Sequence, residues 1–175
     1  MRALLLALLI LPAWPSARAE EDEEPSAIQR YLVDVQLGDS VETAQRVYPP
    51  AAEWPATVDD RSGVTRYRVV RSTAKAFPAR VDALYLGFKK GRLVEIEVVY
   101  DAKKSGAQPV EKLAGEYALV YGPPKRSGDR FWWSDGKTVL RVFPFEVPVS
   151  KDGDAAVSWL TAVQVFEHGL SSRSE

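Results

Sequence analysis

The chain has 175 residues, with 23 Lys+Arg against 24 Asp+Glu, no Cys, one His and one Met. A composition of 46% apolar, 27% charged and 10% aromatic residues is that of a folded globule of one or two small domains, and not of a disordered chain. The near-zero charge argues against a nucleic-acid footprint, and the absence of Cys excludes disulfides, zinc fingers, thiol nucleophiles and lipid attachment through an N-terminal Cys.

Met1-Arg2 carries one positive charge, Ala3 to Leu11 is wholly apolar, Pro12 breaks the run, and Ala17-Arg18-Ala19 supplies small residues before a cut. This pattern predicts a signal peptide over residues 1–19, cleaved after Ala19, and hence a periplasmic or secreted protein. Nine apolar residues reach only about half of a bilayer core, so the run is too short for a span. Residues 20–27, which open with an acidic run, are expected to form a disordered tail. No later apolar run approaches 18 residues, so no integral membrane segment is expected after signal removal.

From Tyr31 to Leu37 apolar and polar residues alternate, which predicts one half-buried strand. Gly38 ends it, and Asp39 or Ser40 caps a helix whose stripe is Val41, Ala44, Val47 and Tyr48. Pro49-Pro50 stops that helix, and residues 49–63 read as a loop. Strands follow over Val64–Arg71, Val81–Phe88 and Leu93–Tyr100, the last two joined by a Lys89-Lys90-Gly91-Arg92 turn. In the third, Val94, Ile96, Val98 and Tyr100 point one way and Glu95 and Glu97 the other, giving a dry and a wet face.

Asp101 to Gln108 reads as a polar connector. Pro109 then opens a helix with the stripe Val110, Leu113, Tyr117 and Val120, closed by Gly122-Pro123-Pro124. Arg130–Ser134 and Lys137–Phe145 are strands joined by Ser134-Asp135-Gly136, a strong hairpin signal. Pro144 and Pro148 predict that the second strand frays or lies at an edge. Lys151–Asp154 is a turn, and Val157, Trp159, Thr161, Val163 and Val165 alternate along a final strand.

The fold class is therefore α+β: a largely antiparallel sheet of six or seven strands with two helices on one face. The element order is compatible with two helix-plus-three-strand halves, residues 28–104 and 105–175, as two units or one continuous domain. The helix ends and hairpins echo each other, yet Tyr48 to Tyr121 spans 73 residues and Gly91 to Gly136 spans 45, so no single duplicated register relates the halves.

Leu37-Gly38-Asp39-Ser40-Val41-Glu42 through Tyr48-Pro49 resembles the start of the SmpA/OmlA family, an L-G-M-[ST] turn, a short helix and a [G]-x-P stop. Members are small outer-membrane-assembly lipoproteins, and their helix-then-sheet unit is similar to the tandem β-lactamase-inhibitor-like fold. The likeness covers about a dozen residues plus element order. The chain departs from the family in lacking the lipobox Cys and in carrying Asp39 where Met is usual. The resemblance implies a non-enzymatic envelope module that binds another protein through its sheet or a loop.

Residue chemistry nominates little else. His168 is the only imidazole, within eight residues of the C-terminus, and no G-x-S-x-G occurs, so a nucleophilic triad has no evident members. Asp59-Asp60 and Asp152-Gly153-Asp154 do not continue into a calcium-loop pattern and read as turns. Glu95 and Glu97 lie about 6.5–7 Å apart on one strand face, a spacing that glycoside hydrolysis tolerates, but an exposed sheet surface explains them with fewer assumptions. No cofactor, metal or catalytic residue is expected.

Phe131-Trp132-Trp133 on a strand puts Phe131 and Trp133 on one face and Trp132 on the other, with Arg130 on Trp132's side. Trp54, in the Pro-rich loop, belongs to no apolar stripe. The residues expected to bind a partner are thus Trp132 and Trp54 as an exposed aromatic patch, with Arg130 and Arg141 as cationic anchors. The functions these features fit are an exported, soluble, non-enzymatic binding or adaptor protein of the bacterial envelope, a periplasmic carrier of a lipid or other apolar ligand, or, third, a hydrolase. The first predicts an exposed aromatic patch without a deep cavity, the second an apolar pocket, the third a cleft with convergent polar groups.

Overall fold

The computed structural model describes residues 26–151 and 154–173. The expected signal peptide, most of the expected acidic tail, and Asp152-Gly153 lie outside the described residues.

The alternating run at the start is not one strand. It folds into a hairpin of β1 (Tyr31–Leu32) and β2 (Val35–Gln36), because Val33 and Asp34 both take positive φ, 43° and 69°. Two successive positive φ values make a tight turn that reverses the chain within two residues. Asp34 is a residue that tolerates positive φ, but β-branched Val33 is not, and no Gly or Asn marks the site. The buried Tyr48 hydroxyl donates to the Val33 carbonyl, which accounts for the turn's stability despite its residues. Burial also pushes the Tyr48 hydroxyl well above the usual tyrosine range.

Helix α1 (Val41–Val47) starts as expected: the Ser40 hydroxyl accepts from the Thr43 amide at 3.2 Å. The stretch read as a loop contains an exposed edge strand, β3 (Ala56–Asp59), paired with β4 (Val64–Val70). β5 (Val81–Lys89) and β6 (Arg92–Tyr100) complete a four-stranded meander. The polar connector is in fact α2 (Ala102–Ala107), capped by Asp101, whose carboxylate accepts from the Lys104 amide at 2.7 Å. α3 (Val110–Tyr121) follows, burying Val110, Leu113 and Ala114; Val120, the expected last member of its stripe, is exposed, and Tyr121 packs on the core instead.

A second meander comprises β7 (Lys125–Ser127), β8 (Arg130–Ser134), β9 (Thr138–Lys151) and β10 (Asp154–Glu167), and a 3₁₀ turn (His168–Arg173) ends the described chain. The sheet has eight antiparallel strands in the order β3-β4-β5-β6-β10-β9-β8-β7. The fold class is α+β as expected, with three α-helices among the described residues where two are expected, the third being the short α2. Both halves share this sheet, each supplying four strands, and they meet at β6 and β10.

One sheet face carries the main core: Leu84, Leu86, Ile96, Val98, Leu140, Val142, Val163 and Val165 are all fully buried on it, with Phe131 and Trp133. Each such side chain contributes about 1.5–3 kcal/mol when removed from water. The helices cover this face. Tyr117 of α3 meets Trp133 with ring centroids 6.0 Å apart, and the Trp133 indole donates to the Gly122 carbonyl at 2.8 Å.

The opposite face bends into a concavity. In a flat sheet Tyr85 and Phe145 would stand about 19 Å apart, three strand spacings across and four residues along. Their ring centroids are 5.7 Å apart. The outer half of the β9–β10 hairpin therefore leans over this face, where Ala83, Val99, Leu160 and Ala162 form a second small core. β5 and β6 contribute two register irregularities, at Val81/Ala83 and Gly87/Phe88, which let the sheet bend.

Asp135 ties the chain's start to the β8–β9 turn. Its carboxylate accepts from the amides of Ile28 (2.9 Å), Lys137 (2.9 Å) and Thr138 (2.7 Å). Burial opposes its ionisation, but these amides together hold the carboxyl below the usual aspartate range. A lowered native pKa gives stability that is present above the unfolded value and lost as pH falls through the native one. Asp135→Ala is expected to cost about 1–2 kcal/mol at pH 7. In urea unfolding across pH, that difference should shrink below the ordinary aspartate range.

Candidate functional site

The aromatic run on β8 divides as its alternation predicts. Phe131 and Trp133 are buried in the core, while Trp132 is half-buried on the concave side with Arg130. Arg141 of β9 is the direct cross-strand partner of Trp132, so it stands on the same face. Trp132, Arg130 and Arg141 are thus brought together. Trp54 is not with them. It is 4% exposed, packs edge-on to Tyr67 at 6.3 Å and donates from its indole to the Thr73 carbonyl. The expectation of an exposed Trp54 is wrong: the loop folds back over the main core and carries the ring with it.

β8 stops short, leaving β9 unpaired on that side from Phe143 onward. Pro144 and Pro148 lie opposite Thr161 and Val157 of β10. Having no N–H, they sit where the backbone faces away from β10, on the free edge. Only the outer part of this strand, the part that carries the prolines, has a free edge; its first part lies between β10 and β8, and the whole strand continues as a ladder with β10.

Beside that edge runs an open groove of two adjoining depressions, about 880 Å³ and 550 Å³, which share Asp129, Pro144 and Trp159. Lys125, Arg130, Arg141 and Trp132 line the larger, and the start of α3 borders the smaller. Trp159 is 60% exposed. Sequence reading places it with Val157, Thr161, Val163 and Val165 on one face of the last strand. That face is core only where helices cover it; Trp159 and Val157 lie beyond them and are exposed. The twist of the projecting hairpin brings Trp159 to the same depression as Trp132.

Also on the concave face is a half-open polar cavity of about 400 Å³. The Arg66 guanidinium donates to Glu95 at 2.8 Å and to Glu97 at 2.6 Å, and the Gln164 amide donates to Glu95 at 2.6 Å. Arg66 also lies 4.7 Å from the centroid of the Tyr85 ring. Glu97 is 3% exposed, which corrects the reading of this strand face as solvated: it stands beside Tyr85, its cross-strand partner, over which Phe145 of β9 leans. Burial pushes the Glu97 carboxyl above the usual glutamate range, opposed by Arg66 and reinforced by Glu95. Gly87 stands across from both Arg66 and Glu95, and a Cβ there would lie 2.9 Å from the Glu95 carboxylate. Its missing side chain is what makes room for the cluster.

His168 is exposed, with its Nδ1 3.3 Å from the Ser134 hydroxyl. Among the described residues no carboxylate is hydrogen-bonded to its ring, and none form a group of three or more His, Cys, Asp or Glu able to hold a metal. Asp59 takes part in a turn, accepting from the Arg61 amide and the Ser62 hydroxyl. No described helix is long and apolar enough to cross a membrane. Comparison with protein-family models, curated proteins and solved structures finds no match to this chain.

Two outcomes follow from these placements. Trp54→Ala is expected to cost about 3–5 kcal/mol in chemical denaturation, as for other buried large aromatics, whereas half-buried Trp132→Ala should cost clearly less and leave a cooperative transition. A raised Glu97 pKa means that the native state keeps a proton which the unfolded chain has released. Stability should therefore fall as pH rises from the ordinary glutamate range through the native value. Glu97→Gln is expected to flatten that part of the stability profile.

Proposed function

We propose that this chain is an exported, non-enzymatic binding or adaptor module of the bacterial cell envelope, and that it holds a partner protein in the groove beside β9. The observation that carries the reading is the groove itself: open along its length, with exposed Trp159 and half-buried Trp132 on its walls. Partly exposed tryptophans flanked by arginines are what protein-recognition surfaces concentrate. Lys125, Arg130 and Arg141 make one end cationic. The fitting partner is an extended segment with apolar side chains and at least one carboxylate.

Pro144 and Pro148 decide the manner of binding. An added strand would meet two outward backbone sites without an N–H, so contact is made by side chains and not by sheet extension. The export signal read over residues 1–19 and the resemblance of residues 37–49 to SmpA/OmlA proteins support the envelope setting. An apolar-ligand carrier would hold its cargo between helices and sheet, where the main core packs; the open groove favours a protein.

The test is capture from the source cell. A C-terminally tagged chain with its native signal is expressed and crosslinked, and co-purifying proteins and lipids are identified by mass spectrometry. A protein partner is expected, with recovery falling at least about tenfold in the folded Trp132→Ala/Trp159→Ala variant. Undiminished capture by that variant, or a bound lipid with no protein, would sink the reading.

A further inference from the structure

The described chain enters the fold beside the β8–β9 turn. Ser26 and Ala27 are exposed, Ile28 is buried in the main core, and its amide donates to Asp135 at 2.9 Å. Ser134, the neighbour of Asp135, lines the larger depression of the groove. The segment that precedes Ser26 is therefore tethered beside one wall of that depression. It reads Glu20-Glu21-Asp22-Glu23-Glu24-Pro25, five carboxylates in succession, and no other run of like charge in the chain is as long.

The depression carries the opposite charge. Lys125 is the cross-strand partner of Trp132, and Trp132 of Arg141, so the three form one row across β7, β8 and β9 on the concave face. Arg130, two residues along β8, projects on the same side. Lys125 and Arg130 are exposed, and among the described residues neither makes an ion pair. Against these three cations the described lining holds one carboxylate, Asp129. Such a wall attracts a strand of several negative charges. The reach also fits. Trp132 is three residues from Asp135 and Arg130 is five, about 10 and 17 Å along a strand. Glu24 is four residues before Ile28 and Asp22 is six, at most about 14 and 21 Å of extended chain. A carboxylate can thus draw level with each cation of β8 and its neighbours. The opposite course, over α3, meets Glu111 and Glu116 with only Lys112 to offset them.

We propose that the acidic segment Glu20–Glu24 lies across the cationic end of the groove and competes there with the carboxylates of a partner. The docking stands on the charges and the tether; the competition rests on the groove reading. The segment has no apolar side chain, so it covers the end formed by Lys125, Arg130 and Arg141 and leaves exposed Trp159 open. Each contact is a screened surface pair of small worth, but the tether holds the segment at an effective concentration on the order of millimolar. A merely acidic segment from elsewhere must therefore compete at that concentration. A partner that also brings apolar side chains to Trp132 and Trp159 displaces the segment, so the tether acts as a filter for the mixed partner that the groove fits.

The chain has no Cys, so Asp22→Cys gives a single attachment point for a nitroxide label. In the full mature chain at low salt, the amide NMR signals of Lys125, Arg130 and Trp132 should lose most of their intensity, while those of β3 and β4, at the other end of the sheet, keep theirs. The intensity should return at about 1 M salt, where screening reaches down to about 3 Å. It should also return in Lys125→Glu/Arg130→Glu, which alters two exposed side chains. Signals lost only around the β8–β9 turn, or a loss that survives both salt and charge reversal, would overturn the docking. The competition is read with a synthetic peptide of residues 20–27 as the probe. The full chain with all five acidic residues changed to their amides should bind this peptide at least about tenfold more tightly than the unaltered chain. Equal binding by the two would overturn the competition. Partner capture with Trp132→Ala/Trp159→Ala, which keeps every cation, reports on the groove reading separately.

Discussion

The bend of the sheet is the constraint from which the rest of the structure follows. A flat eight-stranded sheet would offer one face to the helices and leave the other wet along its whole length. Here the projecting part of the β9–β10 hairpin leans back until Phe145 reaches Tyr85. That contact dries a patch of the second face, creating a small apolar core around Leu160 and Ala162. It also leaves a gap above the β7–β8 turn. The groove, the polar cavity and the buried charge cluster are all products of this curvature.

Curvature explains why charged side chains can lie so deep. Arg66, Glu95 and Glu97 occupy positions that alternation assigns to solvent, and in an open sheet they would be solvated. Under the hairpin they must compensate one another. Arg66 spans both carboxylates, Gln164 steadies Glu95, and Tyr85 presents its ring to the guanidinium. Such a cluster adds little net stability, because desolvation offsets much of the attraction, but removing one member would strand the others. It specifies an arrangement more than it strengthens the fold. Gly87 belongs to the same design, since the cluster fits only where a side chain is missing.

What the sequence shows and what it hides divide along physical lines. β5, β6, β8 and the core of β9 are legible because alternation and the Asp135-Gly136 turn are local signals. α1 and α3 are legible from their stripes and stops. β3 is hidden because all four of its residues are exposed and carry no burial pattern. α2 is hidden because six residues hold too little periodicity, although Asp101 is a cap in plain view. In the candidate site, Trp132 and Arg130 follow from alternation, while the side of Arg141 depends on the β8–β9 register, which only the structure supplies. Trp54, Trp159 and Glu97 do not follow, because the exposure of each is decided by a distant element: a loop folding back, a helix layer that ends too soon, a hairpin leaning over. No neighbour in sequence records any of the three.

The strand order has a consequence for how the chain reaches this state. Of the described strands β10 is the last in chain order, yet it lies at the middle of the sheet, between β6 and β9. The first meander can pair within itself as it emerges, but β6 keeps a bare edge until some sixty residues later. Closing that gap is a long-range event of the kind that slows folding and exposes strand edges meanwhile. The fold is thus completed from its centre and only once β10 is in place, and a chain without β10 would lose the seam between its halves and not merely a border.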